Sequence, residues 1–284
     1  MDVSFKFFSP SPRYDTEKPY ELFLDENPPD FPATNCEFVF ENVKIADIRT
    51  LPSRTTLDGE GFQVLSHKSS VLCNAADIQD PAKVEAYLNQ TIELVKMECD
   101  ASKVICYDWR YRTSRPDSKF VGDAKDRVRP LEPAQRVHID NTERGAVGQL
   151  RRFLTQAEAN TARIRLINVW RPLCDVVEQW PLAFCDRRTI SNNDQVEVDR
   201  PSSTFIDYGC YIKHSPMQKW HWLSKQSSSE PFMFLVWDSS SGVGAAHGAF
   251  RNPVASNDDA RHSIEVRLIV LNERDPKDHA GGSG

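Results

Sequence analysis

The sequence predicts a mainly β chain: a sandwich or barrel with two helices packed outside it and an arm at the N-terminus. Three observations predict it. From about residue 163 onward, short runs rich in β-branched and aromatic residues follow one another with polar turns between them. Only two stretches carry apolar residues at helical spacing. The first 35 residues are dense in proline and charge, which disfavours regular elements. A length of 284 residues suits one large β domain with extensions. The expected division is an arm at 1–35, a single domain at 36–278 and a flexible tail at 279–284, where the sequence reads "HAGGSG".

Composition narrows the function classes. The formal net charge is -6 and the arginines are scattered among acids, so there is no basic stripe for phosphates and nucleic acid is not an expected partner. No run of 18 apolar residues occurs, and "MDVSFKFFSPSPRYD" lacks both a cationic leader and a sustained apolar stretch. A soluble, cytoplasmic protein without a membrane partner is expected. The seven cysteines are odd in number and form no Cys-x-x-Cys pair, which reads as reduced thiols and not as a disulfide framework or a thiolate zinc site.

Along the chain, "CEFVFENVKIADI" and "EGFQVLSHKS" read as strands of an outer sheet. A helix follows, with Asp80 able to cap it, Pro81 in its first turn, and Val84, Tyr87, Leu88, Ile92, Val95 and Cys99 on one face. "KVICYDW" is a buried strand, and "RYRTSRPDSKFVGDAKDRVRP" is a long polar loop leading to Arg136–Ile139. Residues 142–160 read as a second amphipathic helix with Ala146, Leu150, Phe153 and Leu154 on one side. The remaining strands are "RIRLINVWRPL", "LAFCD", "STFIDYGCYIK", "KWHWLS", "PFMFLVWDS", "GAAHGAF" and "SIEVRLIVL".

One short motif carries chemistry. In "VHID", His138 and Asp140 lie two apart, and on a strand both face the same side. Seven histidines and 41 acidic residues produce about one His-x-Asp/Glu by chance, so the pair needs partners. His247 in "GAAHGAFRNP" is the candidate third ligand, completing two imidazoles and a carboxylate that leave metal positions open. Fourteen residues on, Arg261 and Ser263 share a strand face and form a fork that could hold a carboxylate. Arg267 lies on that face as well and is the rival anchor. His262 points the other way, while His67 and His214 read as structural or exposed.

The blocks "VHID", "INVWRPL", "PLAFCDRRTI", "KWHWLS", "VWDSS", "AHGAFRNP" and "RHSIEVRLIVL", in this order between about residues 100 and 271, resemble the fungal and bacterial hydroxylase/desaturase family related to gibberellin desaturase and cephem methoxylase-like proteins. "WHW" and Ser224 depart from the family's usual Trp-Tyr-Tyr and proline. The resemblance implies a double-stranded β-helix core, jelly-roll or cupin-like, with flanking α-helices. It implies Fe(II) on His138, Asp140 and His247, with 2-oxoglutarate as co-substrate, anchored at Arg261 with Ser263, and O2. The implied reaction oxidises an unactivated C–H bond of a small secondary metabolite or amino-acid-like molecule and releases succinate and CO2. Hydroxylation, desaturation and oxidative cyclisation all stay open. A carboxylate-bearing substrate is expected, with Arg110, Arg171, Trp170, Tyr208 and His221 as candidate contacts. Two other readings are a metal-dependent cupin-like hydrolase and a non-enzymatic small-molecule-binding β-barrel.

Overall fold

The computed structural model describes residues 1–24, 30–115, 128–256 and 259–273. The expected tail at 279–284 and residues 116–127 of the expected polar loop lie outside these. In chain order the strands are β1 (Asp2–Phe8), β2 (Phe38–Asp47), β3 (Phe62–Val64), β4 (Lys103–Thr113), β5 (His138–Ile139), β6 (Ala162–Pro172), β7 (Val176–Val177), β8 (Leu182–Cys185), β9 (Gln195–Pro201), β10 (Ile206–Ile212), β11 (Trp220–Trp222), β12 (Gln226–Ser227), β13 (Phe232–Asp238), β14 (Gly242–Val243), β15 (His247–Ala249) and β16 (His262–Glu273). The helices are α1 (Pro81–Glu98), α2 (Glu143–Leu150) and α3 (Gln156–Thr161). No helix among the described residues is long and apolar enough to cross a membrane.

Two sheets make the jelly roll. The larger runs β1-β2-β11-β8-β15-β5-β10-β9 and the smaller β14-β13-β6-β16-β4, with β3 beside β13. Their facing sides share a core that includes Phe184 and Leu182 from one sheet and Trp170, Phe232, Phe234 and Ile269 from the other. Strand alternation sends the intervening residues outward. Ile264, Val266, Leu268 and Val270 of β16 leave the interior and pack with Tyr87, Leu94 and Val95 of α1. That helix starts as its sequence requires, with the Asp80 carboxylate accepting from the main-chain N–H groups of Ala82 and Lys83 and Pro81 in the first turn.

Three elements differ from the sequence reading. The segment expected to be an arm begins with β1, antiparallel to β2 along its whole length. Its Val3, Phe5 and Phe7 are buried against Val137, Ile139, Trp220 and Phe250 on the outer side of the large sheet, and the Phe5 and Trp220 rings lie 4.8 Å apart. Residues two to seven alternate in burial, and that local period outweighs the prolines that follow. The helix expected over 142–160 is two helices, because Thr155 starts the second with a capping box closed by Glu158. The two segments expected to share an outer sheet separate: β2 joins the large sheet beside β11 and β3 the small one beside β13.

Candidate active site

His138 in β5 and His247 in β15 are direct cross-strand partners, with ring centroids 4.3 Å apart. Val137 and Ile139 point into the outer core, so His138 and Asp140 turn to the interior as alternation requires. His138 Nε2 lies 3.8 Å from Asp140 Oδ1, and the ligand atoms of His138, Asp140 and His247 all fall within 4.8 Å of one another. All three residues are buried. The Nδ1 atoms meet carbonyl oxygens, that of Arg136 at 2.7 Å for His138 and that of Ala245 at 3.2 Å for His247. A carbonyl only accepts, so each Nδ1 carries the proton and each Nε2 keeps its lone pair for a metal.

The carboxylate is held at both oxygens. Arg267 donates to Asp140 Oδ1 at 3.1 Å and Asn168 donates to Oδ2 at 2.7 Å. Burial pushes the Asp140 carboxyl up, but Arg267 first and then His247, His138 and Arg200 outweigh it, and the group sits well below the usual carboxylate range. Burial and the neighbouring His247 push the His138 imidazole down, which keeps it neutral as a metal ligand must be. Two imidazoles with Nε2 turned to the site and one ionised carboxylate on one side of a space fit a mononuclear divalent metal with open positions.

Immediately before β16, Arg261 is almost wholly buried. Its Nη1 donates to the Trp180 carbonyl at 2.9 Å and its Cζ stands 5.4 Å from the Trp170 ring centre. Its Nε and Nη2, and the Oγ of Ser263, are buried without a hydrogen-bond partner among the described residues. Burial and the charge of Arg112 lower the Arg261 guanidinium to about 9, so it remains a cation at neutral pH. Buried donors and a positive charge without a counter-ion make a cradle suited to a carboxylate. Arg267 is already engaged by Asp140 and by Glu265 at 2.9 Å.

The family model described as "Oxidoreductase/YMDC permease-like domain" (YDMC) matches residues 5–271. The chain belongs to this oxidoreductase family. Among curated relatives, the alpha-ketoglutarate-dependent dioxygenase tstK of Talaromyces stipitatus is 26% identical over 261 residues, 87% of this chain and 92% of that protein. The hydroxylase/desaturase efuI of Hormonema carpetanum is 28% identical over 84% of this chain and 86% of its own. Among solved structures, the iron and alpha-ketoglutarate-dependent endoperoxidase NvfI superposes with a TM-score of 0.82 at 26% identity, covering 96% of this chain and 98% of that one.

In this family member a cavity of about 640 Å³ opens onto His138 and Asp140. Arg110 and Arg112, expected in a loop, lie on β4, which continues to Thr113, and both line the cavity. Arg110 pairs with Asp108 at 3.0 Å. Trp170 is buried over Arg261 between the sheets. The other candidate contacts are elsewhere. Arg171 turns to the opposite side, where it donates to Tyr87 Oη at 3.0 Å and to the carbonyls of His67 and Ser228. Tyr208 lies on the outer surface under Arg144, and His221 packs on Phe62. His262 leaves the interior and meets Tyr111 Oη at 2.7 Å. All seven cysteines are free thiols.

Sequence reasoning missed Asn168, Glu265 and Arg200. Asn168 had a visible signal, since it is a lone amide inside the apolar run "LINVW". Such a residue is costly unless something buried needs it.

Proposed function

We propose that the chain oxidises an unactivated C–H bond of a small, carboxylate-bearing secondary metabolite by hydroxylation, desaturation or oxidative cyclisation. It is a non-haem iron, 2-oxoglutarate-dependent dioxygenase, in keeping with its relatives, and its cofactors are Fe(II), 2-oxoglutarate and O2. His138, Asp140 and His247 would hold the metal, and Arg261 with Ser263 the far carboxylate of 2-oxoglutarate. When bound, Fe(II) would activate dioxygen, which is the oxidant: two of its four oxidising equivalents would convert 2-oxoglutarate to succinate and CO2, and the other two would be spent on the substrate's C–H bond.

The chain's own part is positional. Arg267 and Asn168 fix both oxygens of Asp140, while the main chain fixes the tautomer of each histidine. Phe184 and Phe234, with ring centres 5.7 Å and 4.7 Å from that of His247, keep water from one flank. The cavity is lined by six cationic side chains against four carboxylates, one of them Asp140, in a chain whose net charge is -6. That local excess of positive charge supports an anionic substrate.

The observation that carries the reading is the buried His138, Asp140 and His247 cluster facing the same interior as the buried Arg261 and Ser263 donors, which have no hydrogen-bond partner among the described residues. A metal-free barrel has no use for the first feature, and metal-assisted hydrolysis does not in itself call for the second. Adding Fe(II) and 2-oxoglutarate without oxygen should produce a weak visible charge-transfer band, and air should convert 2-oxoglutarate to succinate. No band, with turnover supported by zinc alone, overturns the proposal.

A further inference from the structure

Arg200 lies on β9 and turns its guanidinium back over Gly209 of the neighbouring β10. A Cβ at position 209 would come within 2.1 Å of Arg200 Cζ and 2.5 Å of its Nε, so the absence of a side chain there is what lets the guanidinium lie flat. Nη1 donates to the main-chain carbonyl of Asp140 at 3.3 Å, and Cζ stands 5.2 Å from the Tyr211 ring centre. The group lines the same cavity as His138 and Asp140. Its Nε is buried and has no hydrogen-bond partner among the described residues.

Two acids stand near Arg200, and each accepts a hydrogen bond from another residue. Asp207, the cross-strand partner of Arg200, accepts from Asn141 at 3.2 Å. Glu21 is taken by Arg136 and by Tyr211, whose Oη donates to it at 2.7 Å. A guanidinium with an unused buried donor, one main-chain carbonyl from an expected iron ligand, is a site for an anion. At the cavity's rim, Phe23, Phe205 and Leu131 are exposed and apolar, which suits a ligand with a hydrophobic body behind its charged end.

We propose that Arg200, seated on Gly209, anchors the substrate's carboxylate and thereby sets which carbon stands over the metal. This rests on the oxygenase reading above. Arg261 serves the co-substrate and Arg200 the substrate, so the two carboxylates bind at separate guanidinium groups.

The test is calorimetric titration of the full chain with three acids of increasing size, benzoic, 4-phenylbutyric and abietic acid, and with their primary amides. Mn(II) and 2-oxoglutarate are present throughout to fill the other carboxylate site. At least one acid should bind about tenfold or more tightly than its amide. Arg200→Gln should erase that preference, and Arg200→Lys should keep part of it. Gly209→Ala, which displaces the guanidinium without removing its charge, should weaken it. No acid preference in the unmodified chain, or a preference that survives unchanged in both Arg200→Gln and Gly209→Ala, overturns the proposal. If Arg200→Gln does not fold, an unchanged preference in Gly209→Ala overturns it alone. Succinate formation is scored in separate aerobic samples with Fe(II) in place of Mn(II). Its absence sinks the oxygenase reading and leaves acid binding standing, whereas succinate formation without acid preference sinks only the anchor.

Discussion

Asn168 reaches across from the small sheet and donates its side-chain amide to Asp140, next to β5 of the large sheet, at 2.7 Å. The two sheets are therefore joined through the expected metal ligand itself. Asn168→Ala should lower Co(II) or Fe(II) affinity by about 10- to 100-fold, the cost usual for a lost partner of a ligand. Metal titration of the variant checks this, with circular dichroism to show that the fold persists. Unchanged affinity would mean that Arg267 alone suffices to orient the carboxylate.

Arg261 and Arg267 should fail in different ways. Arg261→Gln removes a buried cation from the carboxylate cradle, a loss of about 2–5 kcal/mol in binding, so the 2-oxoglutarate KM should rise by roughly 30-fold or more. The KM for the organic substrate should stay within a few-fold. Arg267→Gln should instead weaken metal retention, because it strips the charge that holds Asp140 ionised. The reverse pattern would make Arg267 the anchor.

The N-terminal strand should contribute substantially to stability. Phe5 is 1% exposed and Phe7 is fully buried, and a core Phe→Ala change costs about 3–5 kcal/mol. Denaturant unfolding of Phe5→Ala should show that loss through a lower midpoint. A change of a few tenths would mark β1 as a detachable arm after all.

Asp238 gives a pH-dependent prediction. It is buried, which alone raises its carboxyl, yet the bonds from Arg163, the Ser240 main chain and Ser241 bring it below the usual value. A carboxyl depressed by folding contributes stability above the unfolded value near 4, and that contribution is lost as pH falls below it. Asp238→Asn should therefore melt well below the unmodified chain at pH 7, and the gap should narrow at pH 3. Melting curves at the two pH values decide it.

Much of the site could be read from the letters because its parts sit on strands, where the period is two. Val137 and Ile139 going outward force His138 and Asp140 inward, and the same rule aligned Arg261, Ser263 and Arg267. The rule broke down where charge was taken to mean solvent. Asp108, Arg110 and Arg112 alternate with the buried Trp109 and Tyr111, so the strand continues into what reads as a polar loop. The interior it faces is itself charged. Arg171 misled for a related reason: one step in register sends it to the α1 side, where it bonds to Tyr87 and not to the cavity. Arg200 was invisible because its importance depends on a glycine in the adjacent strand, and no local pattern joins positions 200 and 209.

The pairing of His138 with His247 also bears on how the protein is made. These residues are 109 positions apart, and β5, which presents the first, is only two residues long. So short a strand has little capacity to hold itself in place; its neighbours β15 and β10 must arrive from later in the chain. Contacts of such separation form late, after the entropy of closing long loops has been met. During refolding, helix α1 can develop from local signals well before any metal is captured. Metal uptake would then report the moment the topology is complete, and a chain stopped short of β15 would carry "VHID" without the partner strand that turns it into a site.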